Sequence, residues 1–155
     1  GNLLKGVSRG LDWWQRKYPS DYNAYLFLKN IRDSASAGER LKHIVEAEGD
    51  SYTDVSRFSV FLGWPAIIGW AVHEWTWRGD YDPVNARRSE VVDLYTGSDF
   101  GRARATINKY EVDYIIAGEV ETNRYGAKIN HEKLRKLGTI IYENGKTYIV
   151  QTPLF

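Results

Sequence analysis

The residues with the most chemical capacity crowd into one stretch, Gly63-Trp64-Pro65 through Gly69-Trp70-Ala71-Val72-His73-Glu74-Trp75-Thr76-Trp77-Arg78-Gly79. Four of the chain's tryptophans (Trp64, Trp70, Trp75, Trp77) fall there, with a histidine, an acid and an arginine beside an aromatic. An indole ring offers a flat apolar face, and a sugar ring presents its axial C–H groups to such a face. His73, Glu74 and Arg78 are placed to bind hydroxyls or a phosphate, Arg78 through its planar fork of donors. Trp70 and Trp77 are therefore the stacking candidates. The opposing reading, tryptophans in a core and a locally satisfied His-Glu pair, stays open on the sequence alone.

Other groups are thinner signals. Asp50-Ser51-Tyr52-Thr53 resembles the loop of an α/β site, but Ser51 lacks the G-x-S-x-G context of an activated nucleophile. Asp50 and Arg57 are candidates to orient a ligand, and Arg57 also suits an ion pair with Asp50 or Glu74. Glu119 and Glu121, two apart after a strongly apolar run, would face the same way on a strand. Paired carboxylates do acid–base work, and Glu121 joins the candidate ligand-binding set; a solvated strand end explains the pair as well. His73-Glu74 is not a zincin motif, because position 77 holds Trp77. His43, His73 and His131 lie far apart, so no metal site is assigned, and no catalytic residue or cofactor either. Neither a dinucleotide fingerprint nor a Walker loop is present.

Composition narrows the classes further. The 155 residues carry 21 Lys+Arg against 20 Asp+Glu, which gives no electrostatic footprint for duplex nucleic acid or an anionic membrane surface. Stacking aromatics without a basic groove argue against a single-stranded nucleic acid partner too. With Cys 0, disulfide scaffolds, cysteine zinc sites and cysteine nucleophiles are excluded. With Met 0, the chain is expected to be a fragment of a longer protein. The longest apolar stretch, 58–72, is too short and too interrupted by glycine and proline to span a bilayer.

The elements that must position these residues alternate. Ser20 suits an N-cap, and Ala24, Phe27, Leu28 and Ile31 follow at helical spacing. Trp13, Trp14 and Tyr18 suit an earlier turn, and 34–38 a loop. His43 to Glu48 reads as a strand, and 58–68 contains another around Ala66-Ile67-Ile68. Asp82-Pro83 opens a helix with Val84, Val91 and Tyr95 inward and Gly97 as its stop. Ser98 or Asp99 begins a further helix to Lys109, with Ala103, Ile107 and Tyr110 on one side. Val112 to Ala117 reads as a strand buried on both faces. Asn130 to Leu137 is a short helix closed by Gly138. Thr139 to Glu143 and Lys146 to Gln151 flank Asn144-Gly145, the signal of a type I′ hairpin. The order predicts one α/β domain over 1–155: a layered sheet with helices on its faces and a C-terminal antiparallel β-hairpin.

Several stretches carry a family resemblance. They are Pro19-Ser-Asp-Tyr-Asn-Ala24, Glu46-Ala-Glu-Gly-Asp-Ser-Tyr-Thr53, Arg57-Phe-Ser59, Gly69-Trp70-x-x-His73-Glu74-x-x-Trp77-Arg78-Gly79, Tyr110-x-Val112-x-Tyr114 and Gly118-x-x-Glu121-x-x-x-Tyr125. Together, from Gly10 to Tyr125, the chain resembles the C-terminal region of the Chlor_Arch_YYY family, the "YYY" membrane proteins of archaea and Chloroflexi. Phe61-Leu62 stands where that family's pattern has Thr-Gly. The resemblance implies a multi-span membrane parent similar to GT-C glycosyltransferases, which use lipid-phosphate-linked sugars. It is similar more distantly to oligosaccharyltransferase catalytic subunits, with Val112-Asp113-Tyr114 in the place of their strand after the Trp-rich motif.

The expectation is then an extracytoplasmic domain of a membrane protein that binds glycan acceptor or donor, including polyprenyl-phosphate-linked sugar. Its other partner is its own transmembrane region, and the isolated chain is expected to be inactive. Two alternatives stand beside it: a self-contained hydrolase using Glu74 or His73, and an interaction domain docking on its own membrane region.

Overall fold

A computed structural model describes residues 2–47, 57–67 and 82–153, with side chains from residue 10 and, in the third segment, from residue 86. The described elements are α1 (Asn2–Lys17), α2 (Pro19–Asp33), β1 (Ile44–Val45), α3 (Arg57–Leu62), α4 (Asp82–Thr96), α5 (Phe100–Lys109), β2 (Tyr114–Ala117), α6 (Glu119–Tyr125), a 3-10 turn (Gly126–Lys128), α7 (His131–Lys136), β3 (Thr139–Asn144) and β4 (Thr147–Gln151). The expected α/β class holds: one four-stranded sheet in the order β1-β2-β4-β3, with helices packed around it. β1 pairs parallel with β2, β2 antiparallel with β4, and β4 antiparallel with β3. Successive strand residues face opposite sides. Every position of β2 is buried, so both faces of this central strand are covered, while the edge strand β3 is half-buried to exposed.

The N-terminal aromatics form more than one turn. α1 is a full helix, and Gly10 lies where an added Cβ would come within 3.0 Å of the Phe61 ring. That close approach requires a residue that also weakens the helical pattern. Trp14 is 0% exposed at the centre of an aromatic nest with Tyr25, Phe58 and Phe61. α2 begins two residues early: Pro19 takes the first helical position, the N-cap is Tyr18, and Ser20 does not cap.

The segment expected to carry a second strand divides differently. Residues 57–62 are helix α3, and Ala66 forms a single parallel bridge to Ile44. The hairpin is present, but its turn is displaced by one. Asn144 pairs with Thr147, so Gly145 and Lys146 are the central residues, and only Gly145 has positive φ, at 62°. That is the type II′ pattern, which needs glycine at the first central position alone. A bulge at Ile141 shifts the register of β3 by one residue between Ile140 and Tyr142.

α5 ends in a Schellman motif that the sequence does not announce. The Val112 amide donates to the Ile107 carbonyl at 2.9 Å and the Glu111 amide to Asn108 at 3.3 Å, with Glu111 at φ 51° where glycine is usual.

Candidate functional site

Three chain segments leave the sheet on one edge. β1 ends at Val45, its parallel neighbour β2 ends at Ala117, and Ala66 runs parallel beside Ile44. The carboxyl ends of parallel strands are where α/β folds place their sites, because the loops there converge. Immediately past these ends lie Glu46, Ile67 and Gly118.

A buried charge cluster occupies this edge. Arg57, the first residue of α3, points its guanidinium between three carboxylates. Its Nε donates to Asp21 Oδ2 at 3.1 Å, and its Nη2 donates to the same oxygen. Nη1 donates to Glu46 Oε1 and to Glu121 Oε2, both at 3.2 Å, and Nη2 to Glu121 Oε1 at 3.0 Å. All four side chains are sealed from water, Asp21 and Glu121 at 0% exposure, Arg57 at 3% and Glu46 at 5%.

The acids also hold backbone. Glu46 accepts the amides of Phe58 (3.2 Å) and Ser59 (2.8 Å), serving the first turn of α3. Glu121 accepts from Gly118 (3.0 Å) and Ala47 (2.8 Å), and so joins the exits of β2 and β1. Asp21 accepts from Glu119 (2.9 Å), from Val120 (3.4 Å) and from the Thr147 hydroxyl (2.6 Å), tying α2 to α6 and β4. Gly118 has a steric duty here: a Cβ would stand 2.1 Å from Asp21 Oδ1. Next to the cluster, the Tyr95 hydroxyl donates to Ile116 O at 2.6 Å, with Val45 O at 3.1 Å, and locks α4 across the ends of β1 and β2.

One guanidinium cannot neutralise three carboxylates in a dry site. Burial pushes the Glu46 carboxyl up to about 8, against the attraction of Arg57 and with the charge of Glu121 adding to the rise. Burial opposes the charge on Arg57, but the three acids around it raise its pKa overall. Arg57 therefore stays charged, and burial favours the protonated form of Glu46 near neutral pH. The guanidinium hydrogen bonds of Arg57 end on carboxylates. The cluster acts as a brace across six elements: α2, α3, α6, β4 and the exits of β1 and β2.

Of the residues singled out for ligand binding, the structure brings Arg57 and Glu121 into direct contact. Asp50, Trp70, His73, Glu74, Trp77 and Arg78 lie outside the described residues, as do Ser51 and Trp75. The ion pairs expected of Arg57 with Asp50 or Glu74 are thus outside the description, while Asp21, Glu46 and Glu121 fill its fork. Glu119 and Glu121 do not share a strand face. They stand on the first turn of α6, where a spacing of two points side chains apart: Glu121 turns into the core, and Glu119 remains partly exposed.

Trp64 is core, 4% exposed and stacked on Tyr114 at 5.9 Å. His43 and His131 serve separate places, His43 Nδ1 at 3.0 Å from Tyr110 O and His131 Nδ1 at 2.6 Å from the Tyr148 hydroxyl. Among the described residues no group of three or more His, Asp or Glu is arranged to hold a metal ion.

Asp21, Glu46 and Thr147 were not singled out as site residues by the sequence, and Tyr95 was read only as an inward-facing helix residue, which it is at 0% exposure. A signal existed for Glu46: a single acid inside the apolar run Ile44-Val45-Glu46-Ala47 needs a buried partner. Asp21, two residues into a helix with Pro19 at its start, looks like an ordinary first-turn acid.

The other end of the same strands is polar but wet. Asp113 accepts from Arg40 Nη2 at 2.9 and 3.1 Å and from the His43 amide at 2.8 Å. Beside it is a cavity of about 210 Å³ lined by His43, Ile44, Pro65, Ala66, Ile67, Arg87 and Tyr110.

No family model matches the chain, and no solved structure does. Over 100 residues it is 32% identical to a bifunctional glutamine synthetase adenylyltransferase/adenylyl-removing enzyme of Bifidobacterium longum (strain DJO10A), a match covering 64% of this chain and 8% of that protein. The corresponding protein of Bifidobacterium longum subsp. infantis is 31% identical over the same share. The chain thus spans less than a tenth of the length of the curated relatives it matches.

Proposed function

We propose that this domain binds a glycan or a phosphate-linked sugar at the carboxyl edge of its parallel strands, in the service of a membrane glycosyltransferase-like parent. The observation that carries the reading is convergence. Asp21, Glu46, Arg57 and Glu121 belong to four stretches spread over 100 residues of sequence, each quoted above for the family resemblance, and they meet in one buried cluster. A fifth such stretch, residues 69–79, follows in sequence from Ile67, the last described residue on that edge. A brace built from charge rather than hydrocarbon is costly to desolvate. Its return here is a fixed edge, and the sequence that follows Ile67 on that edge holds Trp70, His73, Glu74, Trp75, Trp77 and Arg78.

In this reading Trp70 and Trp77 stack on sugar. His73, Glu74 and Arg78 take hydroxyls or phosphate, and Asp50 helps to orient them. Arg57 and Glu121 hold the edge without touching the ligand. Catalysis belongs to the parent's membrane part, so the isolated chain binds without turnover. No helix among the described residues is long and apolar enough to cross a membrane.

The 100-residue likeness to an adenylyltransferase favours a second reading, a module that handles a nucleotide. One titration separates the two. Intrinsic tryptophan fluorescence is followed against a glycan panel, polyprenyl-phosphate head-group analogues and ATP, with Trp70→Ala as control. A saturable change with glycans that disappears in the variant supports the first reading. A change with ATP alone supports the second. No response to any of them, with Trp70→Ala unfolded, would make the tryptophans core.

A further inference from the structure

Asp21 faces two ways. Inward, its carboxylate holds Arg57 and the first amides of α6. Outward, its own amide donates to Glu119 Oε2 at 3.5 Å. Glu119 is thereby fixed in the wall of a cavity of about 230 Å³, whose other lining residues are Lys17, Tyr18, Thr122, Asn123 and Lys146.

Three elements meet at this cavity, and each is held. At the α1–α2 corner the Lys17 ammonium sits 5.1 Å above the Trp13 ring and 5.3 Å from the Tyr18 ring. Those two rings meet edge to face at 6.1 Å. The two contacts restrain a side chain that would otherwise sweep through solvent. The β3–β4 turn is anchored on α2: the Lys146 amide donates to Ser20 Oγ at 3.3 Å, and a Cβ on Gly145 would come within 2.5 Å of that hydroxyl. α6 is anchored through Asp21. The lining side chains therefore project from fixed backbone, as a binding site requires.

The lining offers two ammoniums, one carboxylate, a threonine hydroxyl, a carboxamide and a phenol. The amides of Glu119 and Val120 are spent on Asp21, so recognition falls to side chains. Donors arriving from three elements suit a tetrahedral oxyanion, with acceptor oxygens in several directions, better than a planar carboxylate. Lysine is a usual point-charge partner of phosphate. The volume lies below the roughly 300–1,000 Å³ of pockets for drug-sized ligands, which leaves room for one phosphate and a single attached ring.

We propose that this cavity binds the phosphate of a phosphate ester, with Lys17 and Lys146 supplying charge and Thr122 and Asn123 the neutral hydrogen bonds. Glu119 limits the affinity. The phosphate half of the proposal stands alone; that the ester is a sugar phosphate rests on the glycan reading above.

Amide chemical shifts of the 155-residue chain, followed during titration with inorganic phosphate, glucose 1-phosphate and glucose, test both halves. The expected result is a saturable shift at residues 17, 18, 119, 122, 123 and 146 with both phosphates and none with glucose. Lys146→Glu, a change in an exposed turn, should weaken phosphate about twentyfold, and Glu119→Gln should tighten it about fivefold, the size of one or two charge contacts at about 4 Å in water. Equal affinity for the two phosphates upholds the cavity and removes the sugar from it. Absence of saturable shifts, or shifts indifferent to Lys146→Glu in a folded variant, would overturn the proposal.

Discussion

At the carboxyl ends of β1 and β2, the Arg57 side chain is 2% exposed among three carboxylates; at the amino ends of the same strands, the Arg40 side chain is 53% exposed against Asp113. Both are arginine–carboxylate contacts near 3 Å, and solvent makes them different objects. Around Arg40, water screens the charges and either partner can re-solvate when the other is lost. Around Arg57 burial shuts out solvent, so the charges depend on one another, and removing one strands the rest. A contact list alone would rank the two as equals. Burial makes the first a brace and the second an ornament of the surface.

The sharpest way to break this contrast is Arg57→Ala. It leaves three acids buried without their cation and should cost at least about 3–5 kcal/mol, a large part of a usual stability of about 5–15 kcal/mol. Arg57→Lys should recover little, because a point charge cannot replace a fork that reaches three carboxylates. Urea unfolding of both variants checks it; a loss under about 1 kcal/mol would erase the distinction.

Gly118→Ala probes the same brace sterically. A methyl 2.1 Å from Asp21 Oδ1 must displace the carboxylate that caps α6, and a loss of about 2–3 kcal/mol is expected in the same assay.

The third probe is pH. The folded-state pKa of Glu46, about 8, lies above its ordinary 4.5, so the folded chain binds the extra proton between these values. The stability Glu46 contributes is therefore fully present below about 4.5 and is lost as pH rises through about 8. Thermal unfolding followed from pH 5 to 9 should show stability falling by up to about 1.4 kcal/mol per pH unit from this one group. Glu46→Gln should flatten that slope, whereas parallel curves for variant and wild type would show that Glu46 is ionised in the fold.

The smallest effect belongs to the other end. Arg40→Ala should cost no more than about 1 kcal/mol, and less at high salt.

Residues 139–151 were legible because a hairpin is written locally, in two apolar runs around Asn144-Gly145; its exact turn was not, because Asn144-Gly145 suits a type I′ turn and Gly145-Lys146 a type II′ turn equally well. β2 was legible because a strand covered on both faces must be apolar throughout. α3 and α6, six and seven residues long, were not. Their starts are secured by carboxylates distant in sequence, Glu46 for α3 and Asp21 for α6, and no local window contains that information. The cluster was half legible for the same reason. Arg57 stood out as an ion-pair partner for Asp50 or Glu74 and Glu121 as one of two carboxylates after the most apolar strand, but what they bind is decided by how β1, β2 and α2 come together. The stretch from Gly69 to Gly79 was the strongest chemical signal in the sequence, and it lies outside the described residues.

Hydrogen–deuterium exchange read by mass spectrometry, with and without a saturating glycan or polyprenyl-phosphate sugar analogue, tests the central claim most directly. Binding at the carboxyl edge predicts slower exchange in peptides covering 69–79 on ligand addition, with peptides covering 40–43 and 110–113 at the opposite end unchanged. Unchanged exchange over 69–79 with every such ligand, or protection confined to the amino end, would contradict it.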